Sequence, residues 1–161
     1  MSALQNLRTS LSEAWESLAE GWQHFYHRAS RALTRFKPSS EQTDEHLPVL
    51  SGWGLLASDV YEDEDRIIVR LEAPGLEKGD FNISVIGDTL VVRGDKRFER
   101  EYGSGSYQAM ECAYGSFERA IPLWTEVDVS KAKATYKNGV LRVELPKTVA
   151  SRRRTVEVEV R

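Results

Sequence analysis

Apolar and polar positions repeat along this chain with two different periods, and the change falls near residue 50. Over residues 2 to about 36, Leu4, Leu7, Leu11, Ala14 or Trp15, Leu18, Trp22, Phe25 or Tyr26, Ala29 and Leu33 recur at three- and four-residue steps. Such steps line one face of an α-helix. Ser2 is a suitable N-cap, and Gly21 is a point where the helix can break or bend. From about residue 54 the period becomes two. Leu56, Ser58 and Val60 alternate with Ala57, Asp59 and Tyr61; Ile67, Val69 and Leu71 share one face, as do Phe81, Ile83 and Val85. Leu90, Val91 and Val92 lead up to Gly94, and Phe117, Arg119 and Ile121 begin a further strand that Pro122 closes.

Turn signals separate these runs: Glu62-Asp63-Glu64-Asp65, Ala73-Pro74-Gly75 and Gly87-Asp88. The sharpest is Asn138-Gly139, between the runs Ala132 to Tyr136 and Val140 to Leu145. A type I′ hairpin needs φ > 0 at both central positions, which Asn and Gly tolerate best. Leu141, Val143 and Leu145 then face one way while Val140, Arg142 and Glu144 face the other, and Pro146 ends the strand. Short strands at roughly 8–12-residue spacing predict an all-β, immunoglobulin-like β-sandwich. The organisation read from these patterns is an N-terminal helical arm over 1–36, a polar linker over 37–53 broken by Pro38 and Pro48, the β-domain over 54–148, and a short extended C-terminal tail over 149–161.

At 161 residues the chain suits one domain with appendages. Its net charge of −3 is not that of a general nucleic-acid binder. The charge is uneven: residues 1–40 carry five Lys/Arg against three Asp/Glu, residues 41–150 carry 13 against 20, and residues 151–161 carry four against two. The single cysteine, Cys112, excludes an intramolecular disulfide and fits a reducing compartment. No apolar run approaches the roughly 18 residues of a membrane span, and the N-terminus lacks the apolar core of a secretion signal. The expectation is a soluble, cytoplasmic protein.

Residue chemistry points away from catalysis. His24 and His27 stand at i, i+3 spacing without a third ligand nearby, and Cys112 has no histidine motif around it. Gly103-Ser104-Gly105-Ser106 lacks the Lys-Ser/Thr of a phosphate loop, and the acidic turn lacks the spacing and glycine of a calcium loop. No enzyme activity, metal or cofactor is expected. The arm's stripe leaves three readings open: a core or coiled-coil seam, an apolar surface for unfolded clients, or a membrane-surface helix backed by Arg28, Arg31, Arg35 and Lys37.

A family pattern runs through the β-region. Ala134-Thr135-Tyr136-Lys137-Asn138-Gly139-Val140-Leu141 resembles the Ala-x-x-x-Asn-Gly-Val-Leu motif of the α-crystallin domain of small heat-shock proteins. Ser58-Asp59-Val60-Tyr61-Glu62 resembles that domain's opening strand, and Ala73-Pro74-Gly75-Leu76-Glu77-Lys78-Gly79-Asp80 resembles its Leu-Pro-Gly-(apolar)-x-Lys-x-Asp turn, with Ala73 where Leu is commoner. Leu90-Val91-Val92-Arg93-Gly94 and Tyr114-Gly115-Ser116-Phe117-Glu118-Arg119 resemble Leu-x-Ile-x-Gly and the bacterial and plant Tyr-Gly-x-Phe-x-Arg. In order across residues 58–147, these identify the chain as resembling bacterial-type small heat-shock proteins.

The resemblance implies an ATP-independent holdase, a stress-response chaperone built as an oligomer of strand-exchanged dimers. Its partners would be partly unfolded client proteins and further copies of itself. Clients would meet Leu11, Trp15, Leu18, Trp22 and Phe25 of the arm. The segment from about Tyr102 to Glu111, with Tyr107 and Met110 as apolar contacts, would pair with a Leu55 to Val60 strand of a second subunit. By its residues alone that segment reads as a glycine-containing surface loop. Arg119 would be a buried arginine at the dimer contact, paired with a carboxylate; an exposed strand arginine is the alternative. The tail's Val156, Val158 and Val160 stand where family members carry Ile-x-Ile or Val-x-Val, and would dock between the Phe81–Val85 and Ala132–Tyr136 strands of a neighbouring dimer. Two other classes fit less of the pattern: a membrane-stabilising peripheral protein and a co-chaperone-type β-sandwich.

Overall fold

The computed structural model describes residues 31–38, 52–99, 101 and 103–152. Their strands are β1 (Leu33–Lys37), β2 (Trp53–Leu55), β3 (Ser58–Glu62), β4 (Arg66–Glu72), β5 (Phe81–Ile86), β6 (Thr89–Lys96), β7 (Gly115–Pro122), β8 (Lys133–Lys137) and β9 (Val140–Pro146), followed by a single helical turn, α1 (Val149–Arg152). They form two antiparallel sheets, one in the order β2-β1-β7-β6-β5 and the other β3-β4-β9-β8. This is the sandwich that the period-two pattern predicts.

Alternation decides what each strand buries. In β4, Ile67, Val69 and Leu71 enter the core while Arg70 and Glu72 stay outside. β9 answers in register, Ile67 opposite Leu145, Val69 opposite Val143 and Leu71 opposite Leu141. The other sheet contributes Leu90 and Val92 from β6 and Phe117 and Ile121 from β7. The β8–β9 hairpin turns at Asn138 (φ 51°) and Gly139 (φ 77°), both left-handed as a type I′ turn requires.

The chain departs from expectation at its first described element. The helix expected to about residue 36 stops earlier: Arg31 and Ala32 are helical, but Leu33–Lys37 is a strand between β2 and β7. Thr34 and Phe36 face inward and are buried, whereas Leu33, Arg35 and Lys37 are exposed. Phe36 lies across from Phe117, ring centroids 5.3 Å apart, inside the common core. Burial of an aromatic ring against a finished sheet outweighs the few tenths of a kcal/mol per residue by which helix propensities differ. Close approach is permitted by Gly115 (φ 106°), where a Cβ would stand 2.0 Å from the Lys37 carbonyl oxygen. The β-structure therefore reaches back into the expected arm, and the expected linker ends before Trp53, which opens β2.

A second departure is at the supposed Leu55 to Val60 strand, which is two strands in different sheets. At Leu56-Ala57 the chain crosses between layers. The Leu56 N–H donates to the Ala32 carbonyl (2.9 Å), while the Ala57 carbonyl accepts from Glu72 N–H (2.9 Å), and the Leu56 side chain enters the core.

If β1 seals the core as described, Phe36→Ala lowers the unfolding free energy by about 3–5 kcal/mol, the usual cost of removing a buried Phe. Urea unfolding at fixed protein concentration measures it; a loss under about 1 kcal/mol, within the range of a surface substitution, would show that β1 is peripheral.

Candidate functional site

Two rims of the sandwich carry the features that the sequence marks for function. At the first rim, β3 is the edge strand of the four-stranded sheet, paired on one side only, with β4. Val60 turns inward and is partly buried against the core, while Asp59 and Tyr61 point out. The far end of β3 is anchored. The Lys147 ammonium lies 2.7 Å from a Glu62 carboxylate oxygen that also accepts from the Thr125 hydroxyl at 2.7 Å. The Lys147 bond first, and the Thr125 bond second, hold the Glu62 carboxyl below its ordinary value.

Between β6 and β7 the described residues contain no strand, so the expected exchange segment is irregular in the single chain. It is held by its own aromatic side chains. Phe98 meets Tyr107 with centroids 5.5 Å apart and Tyr114 edge-on at 5.1 Å, and the Lys96 ammonium sits 5.4 Å from the Tyr114 centroid. The Tyr107 hydroxyl accepts from the Glu101 N–H at 3.1 Å. Tyr107 is exposed, and Met110 is half-buried. Sequence reasoning picked out Tyr107 as a contact and Tyr114 only as part of a motif, and missed Phe98; the four aromatics Phe98, Tyr102, Tyr107 and Tyr114 in an otherwise charged, glycine-rich stretch were the available signal.

Of the expected dimer contacts, Val60 lies on the β3 edge, whereas Leu55 belongs to β2, the edge strand of the other sheet. Leu55 is exposed on the outer face of the five-stranded sheet, because the crossing at Leu56-Ala57 separates it from β3. Arg119 sits on the inward side of β7 between Phe117 and Ile121, half-buried, and its Nε donates to the Leu56 carbonyl oxygen at 3.3 Å. Burial pushes its guanidinium below the ordinary arginine value. Among the described residues no carboxylate forms an ion pair with it. Its partner among the described residues is thus a backbone carbonyl at the layer crossing, not a carboxylate.

At the second rim the edge strands of the two sheets, β5 and β8, come together. Phe81 and Tyr136 meet with centroids 5.0 Å apart, and the Tyr136 hydroxyl donates to the Ala73 carbonyl at 2.9 Å. Phe81, Ile83, Val85 and Tyr136 are partly buried apolar positions against the core, and among the described residues each strand is paired on one side only. These are the two strands expected to flank the tail's docking groove. The docking residues Val156, Val158 and Val160, and the arm residues Leu11, Trp15, Leu18, Trp22 and Phe25, lie outside the described residues.

Residues 59–160 match the sequence model of the Hsp20/alpha crystallin family. The chain belongs to that family. A small heat shock protein, C2, of Rickettsia felis is 27% identical over 122 residues, 76% of this chain and 75% of that protein. A 26.7 kDa chloroplastic heat shock protein of Oryza sativa is 36% identical over 63% of this chain, a match that spans only 43% of the rice protein. Among solved structures, heat shock protein 16.0 from Schizosaccharomyces pombe superposes with a TM-score of 0.55 at 30% identity, covering 66% of this chain and 97% of that one. Its match to the Hsp20/alpha crystallin family and its relatives named as small heat shock proteins support a chaperone role. No helix among the described residues is long and apolar enough to cross a membrane.

The Glu62 anchor has a pH signature. A carboxyl whose folded value lies below the ordinary 4.5 contributes its full stabilisation above that pH and loses it as the pH falls through the folded value. Lys147→Met lowers stability at neutral pH and flattens the acid-side decline below about pH 4.5. Urea unfolding from neutral to acid pH reads this out, and parallel stability curves for the two proteins would contradict it.

Proposed function

We propose that this protein is an ATP-independent holdase that binds partly unfolded proteins and slows their aggregation. It does so as an oligomer of strand-exchanged dimers, in the cytoplasm. The observation that carries the reading is the pair of incompletely satisfied rims. A strand edge presents unpaired N–H and C=O groups, and natural proteins leave such edges open where another segment pairs with them.

In the dimer, the 102–111 segment of one subunit pairs with β3 of the other. Its aromatic hold on Phe98 is local, so its release costs few buried contacts, and exchange between identical chains adds strand pairing without new chemistry. Val60, Tyr107, Met110 and Arg119 are its residues, with Leu55 on β2 of the other sheet rather than on the acceptor strand itself. Across the second rim, the Val-x-Val tail of a neighbouring dimer lies between β5 and β8, with main-chain bonds supplying affinity and the apolar pockets near Phe81 and Tyr136 supplying register.

Client capture belongs to Leu11, Trp15, Leu18, Trp22 and Phe25 of the arm. A protein that binds unfolded chains pulls them from the native state by mass action, so this surface has to be covered until it is needed. Reversible assembly covers it, and heating loosens the assembly.

Two measurements test the proposal. Deletion of residues 1–30, which spares β1, abolishes suppression of aggregation of a heated client while the sandwich stays folded; undiminished protection by the truncated protein places the client surface elsewhere. Separately, changing Val156, Val158 and Val160 to Gly lowers the assembly mass seen by light scattering to that of the dimer, and an unchanged mass removes the tail from the assembly contact.

A further inference from the structure

Two surface patches carry residues that complement one another. The first is the outer face of the β1–β2 ribbon. Its register sets Leu33 opposite Leu55 and Arg35 opposite Trp53. These side chains and Lys37 are the exposed alternates of strands whose Thr34 and Phe36 are buried. Trp53 is 66% and Leu55 51% exposed. Among the described residues no carboxylate pairs with Arg35 or Lys37. Continuing the β1–β7 register sets Glu118 across from Arg35, but Arg93 already holds that carboxylate at 2.6 Å. Exposed Trp and Arg side by side, next to apolar surface, are the residue types in which protein interfaces are rich.

The second patch is a cleft of about 990 Å³ at one end of the sandwich, between the β3–β4 turn, the segment after β7 and α1. Its lining holds five carboxylates against two cations, Lys147 and Arg152. Three of the carboxylates are engaged: Glu62 by Lys147, Asp63 by Arg66 and Asp65, at 3.6 Å, by Arg152. Glu64 and Glu126 are exposed and have no cation partner among the described residues. Trp124, on the same lining, is 72% exposed.

We propose that the β1–β2 face of one subunit seats in the acidic cleft of a second copy of this chain. Arg35 and Lys37 meet Glu64 and Glu126, while Trp53, Leu33 and Leu55 pack against Trp124. Charge chooses this occupant: two cations without partners on one patch answer two carboxylates without partners on the other. The apolar parts agree as well, since each patch exposes a tryptophan beside its charges. The match is not made within one chain, where no ion pair joins the two patches among the described residues. Because the two surfaces differ, the contact is heterologous; every subunit offers one of each, and repetition closes a ring or extends the assembly. Opposite patches also steer the copies together before they touch. The contact uses neither the β3 edge nor the β5–β8 edges, and so stands apart from strand exchange and tail docking.

The test exchanges the charges in the full-length protein and follows assembly mass against concentration by light scattering. Arg35→Glu with Lys37→Glu, and separately Glu64→Lys with Glu126→Lys, set like charges against each other. Each double variant raises the concentration of half-assembly by about tenfold or more. All four substitutions in one chain restore it, because the signs are then exchanged and the attraction returns. Far-UV circular dichroism stays unchanged throughout, since all four side chains are exposed. If reversal beside Glu118 disturbs β1, Trp53→Ser and Trp124→Ser take its place, and each lowers the mass. An unaltered mass in either double variant overturns the proposal. Losses in both without recovery in the fourfold variant also overturn it, because the patches then meet other surfaces. Unaltered mass with lost flotation on phosphatidylserine vesicles gives the β1–β2 face to a membrane surface instead. The Val156, Val158 and Val160 variant leaves all four charges in place; loss of mass there and none here keeps the tail contact and discards this one.

Discussion

Two antiparallel sheets that bury a shared apolar layer satisfy their faces and leave their rims exposed, and most of what is notable in this protein follows from that. The layer itself is conventional: Ile67, Val69 and Leu71 opposite Leu145, Val143 and Leu141, closed from the other side by Leu90, Val92, Phe117 and Ile121. No strand can pair beyond the last one unless the sheet closes into a barrel or borrows a strand. Among the described residues β3, β5 and β8 each keep one side without a strand partner.

The β1 strand shows how one rim is managed within the chain. Inserted between β2 and β7, Leu33–Lys37 carries the sheet past β7 to end at β2 and places Phe36 against Phe117. It also ties the arm to the domain with no intervening loop, because helical Ala32 is followed at once by Leu33. The layer crossing at Leu56-Ala57 is part of the same arrangement: it separates β2 from β3, and the Leu56 carbonyl there accepts from Arg119. A half-buried guanidinium bound to a backbone carbonyl at that corner braces the junction between sheets.

The loop between β6 and β7 combines two opposite demands. Segments that pair with a second chain must be releasable from their own, and segments left loose are exposed to proteolysis and mispairing. Three rings, Phe98, Tyr107 and Tyr114, with Lys96 over one of them, hold the loop by local contacts of modest strength. That arrangement keeps the loop near its own domain by side-chain contacts, with no strand among its described residues.

The sequence by itself determined the strands, their inward faces, the Asn138-Gly139 turn and, through the motifs spread over residues 58–147, the Hsp20/alpha crystallin family. Each of these rests on local chemistry: period-two alternation, positive φ at a turn, proline at a strand end. Tertiary structure alone decided which sheet a strand joins and what it lies beside. Leu33 fitted the helical stripe as well as it fits a strand, and only the partner ring of Phe117, some eighty residues away, makes the strand the better state for Phe36. Leu55 to Val60 read as one run because alternation continues across it, whereas the crossing depends on bonds from Ala32 and Glu72 that no local pattern announces. Period specifies a residue's face; the identity of its neighbour is a long-range contact, and that is settled only when the layers meet.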